Sequence, residues 1–226
     1  MSGDSFFLVS GGSGGIGAAV CAQLAARGLM PLVGYRHNEA AAHAVALRCG
    51  GEAIQLDLAS DDSIAAAMNR LQESALKLAG VVLLGSPPPV LAPFGRISAD
   101  DLHHQWLVNV HGPQQLLSGL VRQFFRKQRL GTVIGVLSGA MGDADGKGAA
   151  SGMGAYVIGK YGLAGVLALL AADYPWLRVR TVKPGYTETS MLKVFDERFL
   201  EMQRAKRAFQ TPEQVAAQIV TEAIPT

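Results

Sequence analysis

A chain of 226 residues, 49% hydrophobic and only 17% charged, has ample length for a buried core, and its 27 glycines are well above the ordinary share. That composition excludes a disordered chain, and 20 basic against 18 acidic residues, a net charge of +2, give no field that would recommend nucleic acid as a partner. Two cysteines, Cys21 and Cys49, make no disulfide framework, no Cys or His spacing fits a metal, and neither a signal-peptide pattern nor an 18-residue apolar stretch is present; a cytoplasmic protein without membrane contact is expected.

Short apolar runs alternate with segments of helical period along the chain, the pattern of crossover units wound into a mostly parallel sheet. The first predicted strand, Phe6–Val9, runs into Ser10-Gly11-Gly12-Ser13-Gly14-Gly15-Ile16-Gly17, and a helix is expected from Gly15 to Arg27. Gly12, Gly14 and Gly17 fit G-x-G-x-x-G, while Gly11, Gly15 and Gly17 fit T-G-x-x-x-G-x-G with Ser10 in place of Thr. Such a loop lets backbone approach a pyrophosphate, and the helix start offers free N–H groups; a flexible turn has the same composition, and the strand before and helix after favour the cradle. The second strand, Pro31–Gly34, leads to Tyr35-Arg36-His37-Asn38. Where an NAD site places a carboxylate, Arg36 offers a guanidinium suited to a 2′-phosphate, which favours NADPH over NADH; a solvated loop arginine is the alternative.

A helix over Glu39–Cys49 and a strand over Ala53–Leu56 come next, and Asp57 either meets an adenine amino group or caps the helix predicted over Ser60–Leu78. After a fourth strand, Val81–Leu84, a long helix is expected from Ser98 to Gln128. It carries Asn109, whose amide could hold a water or a backbone carbonyl or be purely structural, and ends in Arg122, Arg126, Lys127 and Arg129, four cations without an acid. These suit an acidic carrier protein or a solvated helix end equally. The fifth strand, Thr132–Leu137, ends at Ser138, which could orient a substrate carbonyl or simply make a turn. In the helix predicted over Tyr156–Ala172, Tyr156 and Lys160 share a face, an ammonium beside a phenol being the arrangement that lowers a tyrosine pKa toward the range of a general acid. A sixth strand, Val179–Val182, and a helix over Thr211–Ala223, opened by Thr211-Pro212-Glu213-Gln214, close the reading.

The glycine loop, Asp57-Leu58, Asn109, Ser138, Tyr156 with Lys160, and Pro184-Gly185-Tyr186-Thr187-Glu188-Thr189 stand in an order and spacing that resembles the short-chain dehydrogenase/reductases from about Ser5 to Met191. From Arg122 to Met191 the chain is most similar to bacterial 3-oxoacyl-(acyl carrier protein) reductases. The resemblance implies a single NAD(P)-binding domain over residues 1–226, an α/β Rossmann-like doubly wound parallel sheet of six strands with helices on both faces. It implies cofactor contacts from Gly11, Ser13, Gly14, Ile16, Arg36, Asp57, Leu58, Gly85, Tyr156, Lys160, Pro184, Gly185, Thr187 and Thr189. It further implies a catalytic tetrad in which Tyr156 protonates the alkoxide, Ser138 orients the carbonyl, Lys160 binds ribose and lowers the Tyr156 pKa, and Asn109 fixes a relay water.

Three departures stand out. Leu83-Leu84-Gly85-Ser86, followed by Pro87-Pro88-Pro89, replaces the family's Asn-Asn-Ala-Gly, so its amide contacts to neighbouring loops are expected to be gone. The run Gly139–Ala155 between Ser138 and Tyr156 is longer than usual and is expected to line a substrate pocket. The family's seventh strand has no counterpart after the last helix. The function implied is NADPH-dependent reduction of a 3-oxoacyl thioester, linked to acyl carrier protein or CoA, by a homodimer or a heteromer with a related subunit; the alternative is a non-catalytic reductase-like subunit that binds cofactor and pairs with a catalytic homologue.

Overall fold

Alternation in the first strand sets the two-sided architecture. In β1 (Ser5–Ser10) Phe6 and Leu8 face one way and Phe7 and Val9 the other, and all four are buried. A strand apolar on both faces needs helices on both. The computed structural model describes residues 5–74, 77–143, 145 and 147–224; Met1–Asp4, Ala75 and Leu76 of the predicted third helix, Ala144 and Gly146 of the glycine-rich run, and the last two residues lie outside it. Among the described residues six parallel strands form one sheet in the order β3-β2-β1-β4-β5-β6, with β2 Met30–Tyr35, β3 Glu52–Gln55, β4 Lys77–Leu83, β5 Thr132–Val136 and β6 Arg178–Val182.

On one face α1 (Gly15–Ala25), α2 (Glu39–Cys49) and the last helix, α9 (Pro212–Ala223), pack Val20, Leu24, Val45, Val215 and Ile219 against Phe7, Val9 and Val33. The other face buries Phe6 and Leu8 beneath α3 (Asp61–Glu73), a long helical rod and α7 (Ala155–Asp173). The rod is the predicted Ser98–Gln128 helix, and it is not uniform. It runs as α4 (Ala99–Trp106), a π turn over Leu107–His111, α5 (Gly112–Leu120), a second π turn over Val121–Phe125, and α6 (Arg126–Gln128). Each π turn shifts the apolar face by one residue, which keeps Val108, Leu116, Leu117, Leu120 and Phe125 on the core over a length where a plain 3.6-residue period would drift.

Three expectations are corrected. The third helix ends at Glu73, and Leu78, assigned to it by apolar spacing, belongs to β4, which begins at Lys77. A helix absent from the sequence reading, α8 (Glu197–Lys206), stands between β6 and α9; it buries only Leu200, so its charged sequence carries almost no period. And α7, 19 residues with a mean hydropathy of 1.6, does have the length and apolarity of a membrane span. Here it packs against α4, β5 and β6, with the ammonium of Lys160 inside the fold.

Among the described strands β6 is an edge. Arg178 and Arg180 stand along it, Arg178 Nε donating to the Glu222 carbonyl at 2.9 Å and Arg180 pairing with the Glu222 carboxylate at 3.7 Å. Charges of this kind protect an edge from pairing with another strand.

Candidate active site

The sheet order reverses between β1 and β4, whose chains leave toward opposite faces, and the crevice at their carboxyl ends is where open parallel sheets bind ligands. Two clefts open there, of about 460 and about 390 Å³, sharing Ile16, Leu84, Ser86, Thr189 and Met191. The smaller gathers Gly11, Ser13, Gly14, Ile16, Arg36, Asp57, Leu58 and Gly85; the larger gathers Ser138, Tyr156, Lys160, Pro184, Gly185, Thr187 and Thr189. Of the residues singled out in the sequence, Asn109 lines neither, and the four cations ending the rod are elsewhere.

The smaller cleft fits a dinucleotide phosphate. Gly14 precedes α1 with no side-chain cap, and among the described residues the N–H groups of Ser13, Gly15 and Ile16 have no protein acceptor. Those donors and the positive end of the helix face the cleft. A β-carbon on Gly17 would strike the Gly11 carbonyl oxygen, and one on Gly11, whose φ is +69°, would stand 2.9 Å from Gly85 Cα. Ser10 fastens this meeting of β1 and β4: its hydroxyl, 1% exposed with its residue, accepts from the N–H of Leu84 at 3.0 Å and of Gly85 at 3.1 Å. Arg36 is exposed at the rim beside His37, and among the described residues its guanidinium has no ion-pair partner. Asp57 uses Oδ1 to accept from the Ala59 N–H at 2.9 Å, so it holds the turn before α3 while facing the cleft.

The loop Leu84–Pro89 has no asparagine amides and is fastened by other groups: Ser86 Oγ donates to Asn109 Oδ1 at 3.0 Å, and Gln105 Nε2 donates to the Pro88 carbonyl at 3.2 Å. Gln105, fully buried, also accepts from Asn109 Nδ2 through Oε1 at 2.9 Å and through its own carbonyl at 3.2 Å. Asn109 is therefore held by protein through both ends of its amide, Nδ2 on the carbonyl and Oε1 of Gln105 and Oδ1 on Ser86, while Oδ1 keeps one further acceptor site. The lone buried amide was legible in the sequence; its partners Gln105 and Ser86 were not.

In the larger cleft Ser138 follows β5, its Oγ accepting from the Ala140 N–H at 3.1 Å. Tyr156 and Lys160, one turn apart on α7, are 7% and 2% exposed. Lys160 Nζ donates to the Val136 carbonyl at 3.0 Å and stands 5.7 Å from the centre of the Tyr156 ring. Burial lowers its pKa to about 7 and raises that of Tyr156, the neighbouring Ser138 hydroxyl working against the rise. The phenol is thus raised on balance, where an ammonium alongside was expected to lower it, because its own burial is the largest influence.

The glycine-rich run after Ser138 lines this cleft through Gly139, Ala140, Gly148, Ala150 and Met153. It is held to the body by Tyr161, whose hydroxyl donates to the Met141 carbonyl at 2.7 Å, and by Ala92, which pairs with Met153. Opposite stands a second excursion, from Tyr186 to Gln210, that includes α8. Tyr186 stacks on Phe209 at 5.0 Å and meets Phe195 and Phe199 edge-on. Its neck is closed by two backbone bonds, Glu188 N–H to the Gln210 carbonyl and Gln210 N–H to the Tyr186 carbonyl, both 2.9 Å.

Arg122, Arg126, Lys127 and Arg129 end a rod that starts beside the clefts and runs antiparallel to the strands, so they lie at the amino-terminal edge of the sheet, opposite the clefts. Arg129 lies over the Trp176 ring at 5.3 Å.

A family model described as short chain dehydrogenase matches residues 5–198. The 3-oxoacyl-(acyl carrier protein) reductase FabG of Pseudomonas aeruginosa is 30% identical over 207 residues, spanning 84% of this chain and 76% of its own. Among solved structures, a short-chain dehydrogenase/reductase from Serratia marcescens has a TM-score of 0.84 at 25% identity, covering 99% of this chain and 91% of that one. BdcA, solved in complex with NADPH, has a TM-score of 0.78 at 24% identity, covering 100% and 88%. The family pattern thus takes in the glycine cradle, the strand-end serine and the tyrosine–lysine turn together, and the chain belongs to the short-chain dehydrogenase family.

Proposed function

We propose that the chain reduces a carbonyl to an alcohol with NADPH, in the cytoplasm, and that the substrate is a 3-oxoacyl thioester. The observation that carries the reading is the continuity of the two clefts: the phosphate cradle at α1 opens directly onto Ser138, Tyr156 and Lys160. The free N–H groups of the glycine loop would hold the pyrophosphate, Asp57 and Leu58 the adenine side, Arg36 the 2′-phosphate, and Ile16, Pro184, Gly185, Thr187 and Thr189 the nicotinamide end. NADPH when bound supplies the hydride.

The chain's own residues supply the proton and the orientation. Ser138 Oγ already accepts from Ala140, which leaves its O–H to donate to the substrate carbonyl. Tyr156, raised by burial, keeps its proton at neutral pH until an alkoxide of higher basicity stands beside it, and then releases it to that oxygen. Lys160, near pKa 7, is poised to return a proton to the phenolate and, when protonated, to hold a ribose hydroxyl. Asn109 acts as a positioning residue: a β-carbon on Gly159 would stand 3.3 Å from its Nδ2, so its fixed amide sets how closely the rod approaches the turn of α7 that carries Tyr156 and Lys160. Two unpaired cysteines, Cys21 and Cys49, suit a reducing compartment. The thioester rests on the relative from Pseudomonas and on the partly apolar lining of the larger cleft.

Loss of NADPH absorbance with a short 3-oxoacyl thioester, abolished in Tyr156→Phe while cofactor binding persists, is the expected result. Cofactor binding without turnover of any ketone would instead identify a reductase-like binding subunit.

A further inference from the structure

Building on the reductase reading, we propose that the substrate carries an anionic group remote from its carbonyl, and that Lys206 and Arg207 receive it at the mouth of the larger cleft. Three cations line that cleft, Lys160, Lys206 and Arg207, and no acid is among its described lining residues. Lys160 is buried at the inner end against Val136. Lys206 and Arg207 are exposed, at the end of α8 and the residue after it, which marks the outer end.

Nearby carboxylates do not neutralise this pair. Glu188 and Glu197 both bind Arg204, at 3.3 and 2.9 Å, and Arg204 in turn lies over the Phe209 ring at 4.8 Å. Arg204 thereby serves the aromatic cluster, and among the described residues neither Lys206 nor Arg207 has an ion-pair partner. A neutral ligand would draw no selectivity from two solvated cations, and a cationic one would be repelled. An oxyanion would gain charge-assisted hydrogen bonds, with the guanidinium able to grip two oxygens at once.

Between the inner and outer ends the wall is apolar, made by Met153, Leu192, Phe195 and Phe209 beside Tyr186. A ligand that fits therefore has a carbonyl at one end, an apolar middle and an oxyanion at the other, and shares the cleft of about 460 Å³ with the nicotinamide end of the cofactor. The oxyanion has two chemical sources: the phosphate of a pantetheine arm on the thioester, or a carboxylate at the far end of the acyl chain.

Two matched pairs of compounds test this. The first is a 3-oxobutanoyl thioester of phosphopantetheine against the same thioester of pantetheine; the second is a medium-chain keto acid against its methyl ester. Binding is measured by calorimetry with NADP present, and turnover in parallel with NADPH. The charged member of one pair is expected to bind about tenfold more tightly than its neutral partner, and the pair that discriminates names the source of the oxyanion. In Lys206→Gln/Arg207→Gln that preference disappears while affinity for the neutral member is retained, and in the unsubstituted protein it weakens with added salt because the cations are exposed. Equal affinity for charged and neutral members in both pairs overturns the proposal, as does a preference that survives the double substitution. A charge preference in binding with no turnover upholds the anion site and refutes the reductase reading on which it was built.

Discussion

Replacing Lys160 by methionine isolates the electrostatic cost of burying an ammonium beside Tyr156. In the native chain Lys160 titrates near pH 7, against 10.5 for the free side chain, and it is 2% exposed, so solvent screening does not discount the shift. Between those two values the unfolded chain holds more protons than the folded one, and stability therefore rises with pH through that window. From pH 7 to pH 9 the rise from this one group is about 2 kcal/mol, since the native state is half protonated at the start while the unfolded state remains almost fully protonated at both ends. Cys21, pushed up to about 12 by burial, and Tyr156, also raised, act in the opposite sense at higher pH, but both remain in the variant and cancel in the difference. Methionine keeps the volume and loses one hydrogen bond to Val136, a constant of about 1 kcal/mol. Urea unfolding of both proteins without cofactor at pH 7, 8 and 9 should show their stability difference shifting by about 2 kcal/mol in favour of the native chain as pH rises. A difference that stays constant across that range would show that Lys160 keeps an ordinary pKa, and would remove its assignment as the group that returns a proton to Tyr156 near neutrality.

Gly17→Ala drives a methyl group into the Gly11 carbonyl and to 2.7 Å from Gly12 Cα, backbone that cannot rotate aside, so NADPH affinity measured by fluorescence titration should fall at least tenfold with a lowered melting temperature. Arg36→Ala should weaken NADPH by about tenfold and leave NADH nearly unchanged in the same titration; equal losses would take the 2′-phosphate away from Arg36. Gln105→Leu strands the Pro88 carbonyl and one Asn109 N–H in a buried site, and chemical denaturation should register a loss of about 2 kcal/mol together with a fall in kcat, the KM for NADPH changing little. Gln105→Glu, which can still accept from Asn109, should recover part of the lost kcat.

The sheet was readable because its central strands, β1, β4 and β5 above all, are short apolar runs bounded by glycine, proline or polar residues, and parallel strands buried on both faces leave that mark undiluted. The cradle was readable for a related reason: where backbone must meet backbone, as at Gly11 and Gly17, only one residue type fits. What escaped was anything defined by partners rather than by type. Gln105 is a polar residue on a helix like many others, and nothing in its neighbours in the chain says that it lies 0% exposed between Pro88 and Asn109. The π turns leave helical composition unchanged, so a continuous helix was the only reading available. The reversed sense of the Tyr156 shift also lay beyond the sequence, since spacing places an ammonium near a phenol but does not report how dry both become.

The neck at Tyr186, Glu188 and Gln210 sets apart the part of the molecule that can vary. Everything between its two backbone bonds leaves and re-enters the body at one point, while the chemistry stands on β5 and α7, outside the excursion. The excursion thus joins two tasks at one neck: Thr187 and Thr189 at its start stay with the nicotinamide end of the cofactor, while the aromatic and cationic groups that follow, from Phe195 to Phe209, line only the larger cleft and can vary with the ligand without disturbing the sheet, the cradle or the proton-donating turn.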